Sequence, residues 1–154
     1  MPKVAVGGTF QYLHDGHARL IEKAFEIAGS GKVYIGLTSD EMLQKNHSVE
    51  SYKIRRSRLL EYIKKMGVPE EKYEVTRLND PCGPTIEEDF DHIIVSPETY
   101  PVALKINTIR EKKGKKPLEI VYVEYVMAED GIPISSTRIS KGEIDRHGRL
   151  KKEA

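Results

Sequence analysis

Five short runs of apolar, largely β-branched residues divide this chain: Lys3–Gly7, Lys32–Thr38, Tyr73–Leu78, His92–Ser96 and Leu118–Val123. Most are apolar nearly throughout, as strands buried on both faces are. Helical patterns separate most of them. Ala18, Leu20, Ile21, Ala24, Phe25 and Ala28 recur at three- and four-residue spacing, and Gly29 and Gly31 supply a stop. A second helix is predicted from about Tyr52 to Met66, closed by Gly67 and Pro69. A third follows Ser96, which can cap it with Pro97 at its first position, and runs to about Lys113. Ile134–Ser140 opens a short last helix ending near Gly142. Strands joined by helices imply a parallel sheet covered on both faces. The expected fold is therefore α/β: a single Rossmann-like, doubly wound domain with a five-stranded parallel sheet. Residues 1–154 form that domain, with about 143–154 as a basic C-terminal tail. In such sheets ligands sit beyond the carboxyl ends of the strands, where strand order reverses.

Length and charge narrow the partners. A chain of 154 residues buries about 68–70% of its unfolded surface and needs no staples. Lys and Arg number 25 and Asp and Glu 24, a net charge of +1. No global basic field coats nucleic acid or an anionic membrane, so neither is an expected partner, and an anionic ligand must be held by a local cluster. The single cysteine, Cys82, excludes an internal disulfide and a four-thiolate zinc site. The first ten residues carry no long apolar signal, and no run of 18 apolar residues occurs. A cytoplasmic location and a monomer are expected.

The stretch from Gly7 to His17, GGTFQYLHDGH, sits at the first strand-to-helix junction. Two glycines let the backbone approach a ligand closely. His14 and His17, three residues apart at a helix start, add directional donors to free N–H groups and a positive dipole end. That combination is a phosphate clamp. The plain alternative is a turn, with Asp15 as helix cap and the histidines on the surface. A metal pair is weakly supported, because no other ligand cluster is evident, so no protein-held metal is expected. After the fifth strand, Ser135, Ser136 and Thr137 open a helix and Arg138 supplies a planar charged donor, a second phosphate site by its own chemistry. Gly29-Ser-Gly-Lys32 suggests a P-loop, but Glu26 occupies its first glycine position and Val33 its hydroxyl position.

These motifs resemble a family. GGTFxxLHxGH is the signature of the nucleotidyltransferase superfamily marked by His-x-Gly-His. Within it the chain is similar to the phosphopantetheine adenylyltransferase family in its archaeal and eukaryotic form. The likeness extends to Gly36–Asp40, Asp80–Thr85, Val95–Thr99 and Ile134–Ile139. It implies transfer of AMP from ATP, with Mg²⁺, to 4′-phosphopantetheine, giving dephospho-coenzyme A and pyrophosphate on the way to coenzyme A. It implies ATP contacts at Gly8, Thr9, Phe10, His14, His17, Ser96, Glu98, Thr99, Ser135, Ser136, Thr137 and Arg138. His17, Lys45 and Arg55 become the catalytic donors, Arg55 through a matching Tyr-x-x-Arg at Tyr52. Thr9, Lys45 and Asp80 become acceptor contacts, although Asp80 equally reads as a loop cap. Related cytidylyltransferases carry Gly before Ser-Thr-Thr where this chain has Ile134-Ser-Ser-Thr, which points away from CTP. Ser140 stands where the phosphopantetheine adenylyltransferase family often has arginine. Adenylation of a flavin or nicotinamide nucleotide, or nucleotide binding without turnover, are the rival readings.

A phosphate monoester is already anionic at neutral pH and needs no general base to attack the α-phosphate of ATP. Alignment and neutralisation of the departing pyrophosphate remain. The chain offers donors and helix N-termini for that task, and no nucleophile-and-base pair.

Overall fold

In the computed structural model, which describes residues 1–43 and 49–151, the five expected strands form one parallel sheet. They are β1 (Lys3–Gly8), β2 (Lys32–Thr38), β3 (Tyr73–Leu78), β4 (His92–Val95) and β5 (Glu119–Tyr122). Their order is β3-β2-β1-β4-β5, so the winding reverses between β1 and β4. The helices are α1 (Asp15–Ala28), α2 (Asp40–Leu43), α3 (Tyr52–Lys65), α4 (Tyr100–Lys112) and α5 (Ser136–Ser140).

Alternate residues of a strand face opposite ways, and β1 shows how the sheet is covered twice. Val4 and Val6 enter a core with Ile21, Ala24, Leu59 and Ile63 of α1 and α3. Ala5 enters a second core with Ile93, Val95, Ala103 and Ile106, under α4. The sheet is thus doubly wound, as its apolar strands require.

Three boundaries differ from the sequence expectation. α1 begins at Asp15, three residues before its apolar stripe, because His14 rather than Asp15 caps it. α4 begins at Tyr100, not at Pro97. Ser96–Thr99 instead closes a turn, with the Ser96 N–H donating to Thr99 Oγ1 at 3.0 Å and the Ser96 carbonyl accepting from Tyr100 at 2.9 Å. Pro101 takes the early helical position, where a missing N–H costs nothing. Residues 143–151 fold back onto the body, with Ile144 fully buried beside Ala128 and Ile134.

The crossover from β3 to β4 has only a 3₁₀ turn at Gly83–Thr85 in place of a helix. Its carbonyls need partners from elsewhere. Arg110 of α4, 1% exposed, donates to the carbonyls of Thr85, Ile86 and Glu88. Arg110→Leu therefore strands buried carbonyls and is expected to lower the unfolding free energy by more than about 2 kcal/mol. Denaturant unfolding beside the exposed control Lys112→Ala checks it; equal midpoints would remove the role.

Candidate functional site

The connection from β1 to α1 is built around an unusual backbone. Phe10 adopts a positive φ of 49° although it is not glycine, and its ring is 1% exposed. Such a residue stores roughly 1–3 kcal/mol of strain and persists only where its surroundings hold it. The ring packs on His17, with centroids 5.1 Å apart. Gly8 lies beneath, where an added Cβ would come within 3.3 Å of that ring.

The two histidines form a reciprocal cap. His14 Nδ1 accepts the Gly16 N–H at 3.0 Å, and His17 Nδ1 accepts the His14 N–H at 3.3 Å. Their rings stack with centroids 3.8 Å apart. Gly16 is glycine because a Cβ there would sit 2.7 Å from the His14 ring. Since both Nδ1 atoms accept backbone protons, each neutral ring carries its own proton on Nε2. That Nε2–H is the donor each histidine offers a ligand. Burial lowers the pKa of His14 to about 4, with Asp15 opposing, and that of His17 to about 3, with His14 adding to the effect. Both rings are neutral at physiological pH.

A cavity of about 440 Å³ opens above these groups, at the point where the winding reverses. Gly8, Thr9, Phe10, His14 and His17 line one side. Ser135, Ser136 and Thr137 line another, and Ser96, Glu98 and Thr99 join from the end of β4. Ser135 Oγ caps α5 by accepting the Arg138 N–H at 3.2 Å. A second cavity of about 150 Å³ lies on the other side of the β1 end, and the two share Gly7, Gly8 and Thr99. Its walls are mostly apolar, among them Met42, Leu78, Pro81 and Val102.

Two expected phosphate donors lie outside both cavities. Arg55 is fully buried. Its Nε donates to the Glu50 carbonyl at 2.8 Å, Nη1 to the Thr9 carbonyl at 3.1 Å and to Thr38 Oγ1 at 3.2 Å, and Nη2 to Asp40 at 3.1 Å. Those bonds hold it behind the β1–α1 connection. Arg138 is occupied as well, donating to Asp130, Glu143 and the carbonyls of Ile132 and Pro133. Both placements have one cause: nearby carboxylates and carbonyls satisfy the guanidinium. Asp80 also stays off the cavity walls; its Oδ1 accepts the N–H groups of Cys82 and Gly83 at 3.0 and 2.9 Å and shapes the loop beside the apolar cavity. Lys45 lies outside the described residues. The described cation that does reach the larger cavity is Lys141, just past α5. Sequence reasoning passed over it because Ser140-Lys-Gly-Glu143 departs from the basic run that the resemblance implies; its place one turn after the Ser-Ser-Thr run was the available signal.

Among the described residues no three His, Cys, Asp or Glu side chains lie together so as to hold a metal. No helix among them is long and apolar enough to cross a membrane.

Comparison with known proteins agrees with this fold. The cytidylyltransferase-like family model matches residues 5–142. A protein of Methanosarcina acetivorans named phosphopantetheine adenylyltransferase is 84% identical over 154 residues, covering 100% of this chain and 99% of that protein. One of the same name from Archaeoglobus fulgidus is 47% identical over 150 residues, covering 96% of this chain and 99% of its own. A crystal structure of a protein of unknown function from Archaeoglobus fulgidus superposes with a TM-score of 0.72 at 41% identity, over 79% of this chain and 88% of that one.

The cap predicts a titration. The His14 and His17 ring signals in NMR are expected to keep their neutral form as pH falls through 5. In the unfolded chain both take up a proton near pH 6.5, so stability is lost as pH drops from there toward 4. A midpoint near 6.5 for either folded ring would contradict the burial.

Proposed function

The chain belongs to the cytidylyltransferase-like family, and from that premise we infer that it is an adenylyltransferase: it moves AMP from ATP to 4′-phosphopantetheine, releasing pyrophosphate and forming dephospho-coenzyme A. The observation that carries this reading is the meeting of a donor-lined cavity and an apolar one at Gly7, Gly8 and Thr99. A transferase needs two substrates that touch at one point. The relative that is 84% identical along the whole chain bears the matching name.

ATP takes the larger cavity. Its phosphates face the Nε2–H donors of His14 and His17 on one side and Ser135, Ser136, Thr137 and Lys141 on the other. Gly8, Thr9 and Phe10 let the chain pass close beneath. Ser96, Glu98 and Thr99, with Val123–Val126, leave the far end for the nucleoside. The apolar cavity suits the pantetheine arm, and Thr9 stands beside the junction, its hydroxyl accepting from Thr38 at 3.2 Å. Lys45 remains an acceptor and phosphate contact in this proposal, on the strength of its sequence position.

The acceptor phosphate is its own nucleophile. An oxygen attacks the α-phosphorus, the bond to the bridging oxygen breaks, and pyrophosphate leaves with the charge. A neutral imidazole does not repel or hand over a proton here; it donates a fixed hydrogen bond that strengthens as charge builds on the phosphates. Magnesium accompanying the nucleotide would add to the neutralisation of the departing pyrophosphate, with phosphate and water as its main partners. Arg55 acts from behind, by holding the Thr9 carbonyl.

Pyrophosphate release with ATP and 4′-phosphopantetheine tests the reading, with CTP as an alternative donor and flavin mononucleotide as an alternative acceptor. Release with the flavin but not with phosphopantetheine would overturn it. His17→Ala is expected to lower turnover by roughly 10²–10³, with a smaller change in ATP affinity. Lys141→Ala is expected to weaken ATP binding in a titration more than Arg138→Ala does, because Arg138 is committed to Asp130 and Glu143.

A further inference from the structure

Residues Glu143–Lys151 fold onto α1 at the backbone that carries the paired histidines. Ile144 anchors the segment in the small core with Ala128 and Ile134. The segment closes on itself through an antiparallel bridge between Ile144 and Leu150, and Asp145 Oδ1 accepts the N–H groups of His147 and Arg149, each at 2.9 Å. Two contacts then reach α1. The Arg146 carbonyl accepts the Asp15 N–H at 2.9 Å, and His147 Nδ1 lies 2.9 Å from Asp15 Oδ1. A carboxylate only accepts, so the His147 ring donates.

Asp15 is the first residue of α1, and its N–H is one that the helix cannot satisfy itself. It stands between His14 and Gly16, whose N–H holds the His14 ring. Fixing the Asp15 backbone therefore fixes the cap that aims both imidazoles. The same segment is tied to α5. The Glu143 N–H donates to the Arg138 carbonyl at 3.0 Å, and Arg138 Nε donates to the Glu143 carboxylate at 3.1 Å. Two walls of the larger cavity are thus joined by one short loop, apart from their connection through the sheet.

We propose that Glu143–Lys151 is a clasp that sets the spacing between the His14–His17 wall and the Ser135–Thr137 wall, with His147 a positioning residue acting through Asp15. The proposal rests on the transfer reading of the cavity. It also accounts for Arg138, whose side chain stays with Glu143 instead of turning to a phosphate.

His147→Ala tests it. The ring is 58% exposed, so the fold survives its loss. Turnover is expected to fall about two- to fivefold, the range an exposed side-chain pair can transmit, with a smaller change in the KM for ATP. Hydrogen exchange at the Gly16 and His17 amides is expected to quicken. His147→Asn keeps a donor near the Nδ1 position and is expected to recover most of both. Asp15→Ala approaches the pair from the other side, and the double variant should lose no more than either single one. Unchanged exchange, unchanged turnover or additive losses would each overturn the clasp. Exchange is read without turnover, so failure of the unaltered chain to release pyrophosphate would count against the transfer reading and leave the clasp to be judged separately.

Discussion

The ends of β1 and β2 are held together by one buried charge. The Arg55 guanidinium, brought by α3, bonds to a carbonyl after β1, a hydroxyl at the end of β2, and two groups of the segment that follows. A charge without water is expensive unless its donors are used, and removing one partner of such an arrangement costs several kcal/mol, roughly 3–5 for a buried ion pair. Here the donors are used on backbone that carries Thr9 and leads into Phe10, the residue held at positive φ. The strained Phe10 and the close approach at Gly8 lie beside that clamp, and the cap formed by His14 and His17 follows in the same connection.

The chemistry that results is dipolar more than ionic. Burial keeps both histidines neutral, and two arginines that could have supplied charge are bound elsewhere. What faces the larger cavity is a set of oriented N–H and O–H donors with Lys141 beside them. Such donors suit an anion whose charge moves during the reaction, because they stabilise it without a proton changing hands. Among the described residues, that wall carries hydrogen-bond donors with Lys141 as its cation, an arrangement compatible with a net charge of +1. The clasp proposed for Glu143–Lys151 belongs to the same economy, since fixed dipoles are effective only when their spacing is fixed.

Much of the fold was legible in local pattern. Apolar, β-branched runs such as Lys32–Thr38 have no half-polar alternative, and helical spacing between them leaves a parallel sheet as the consistent solution. Sites at strand ends followed from topology, and Gly8, Thr9, Phe10, His14, His17, Ser96, Glu98, Thr99 and Ser135–Thr137 were found together there. Arginine roles were not legible, because a guanidinium reaches far and binds whichever acceptors the fold brings near. Nothing local separates an Arg55 that meets phosphate from one that meets the Thr9 carbonyl. The same holds for Ser96 and Pro97, which suit a helix start but yield to Pro101, four residues beyond Pro97.

By itself, the sequence determined the sheet, the glycines on which close approach depends, and the order of donor-bearing turns, because each rests on interactions within a few residues. Only the tertiary structure decided which charges are spent on holding the frame and which remain for a ligand. Arg55, Arg138, Lys141 and His147 acquire their roles from partners that are distant in the chain or settled by how its turns are set against one another. Those contacts depend on where strands and helices finally lie, and no local propensity encodes them.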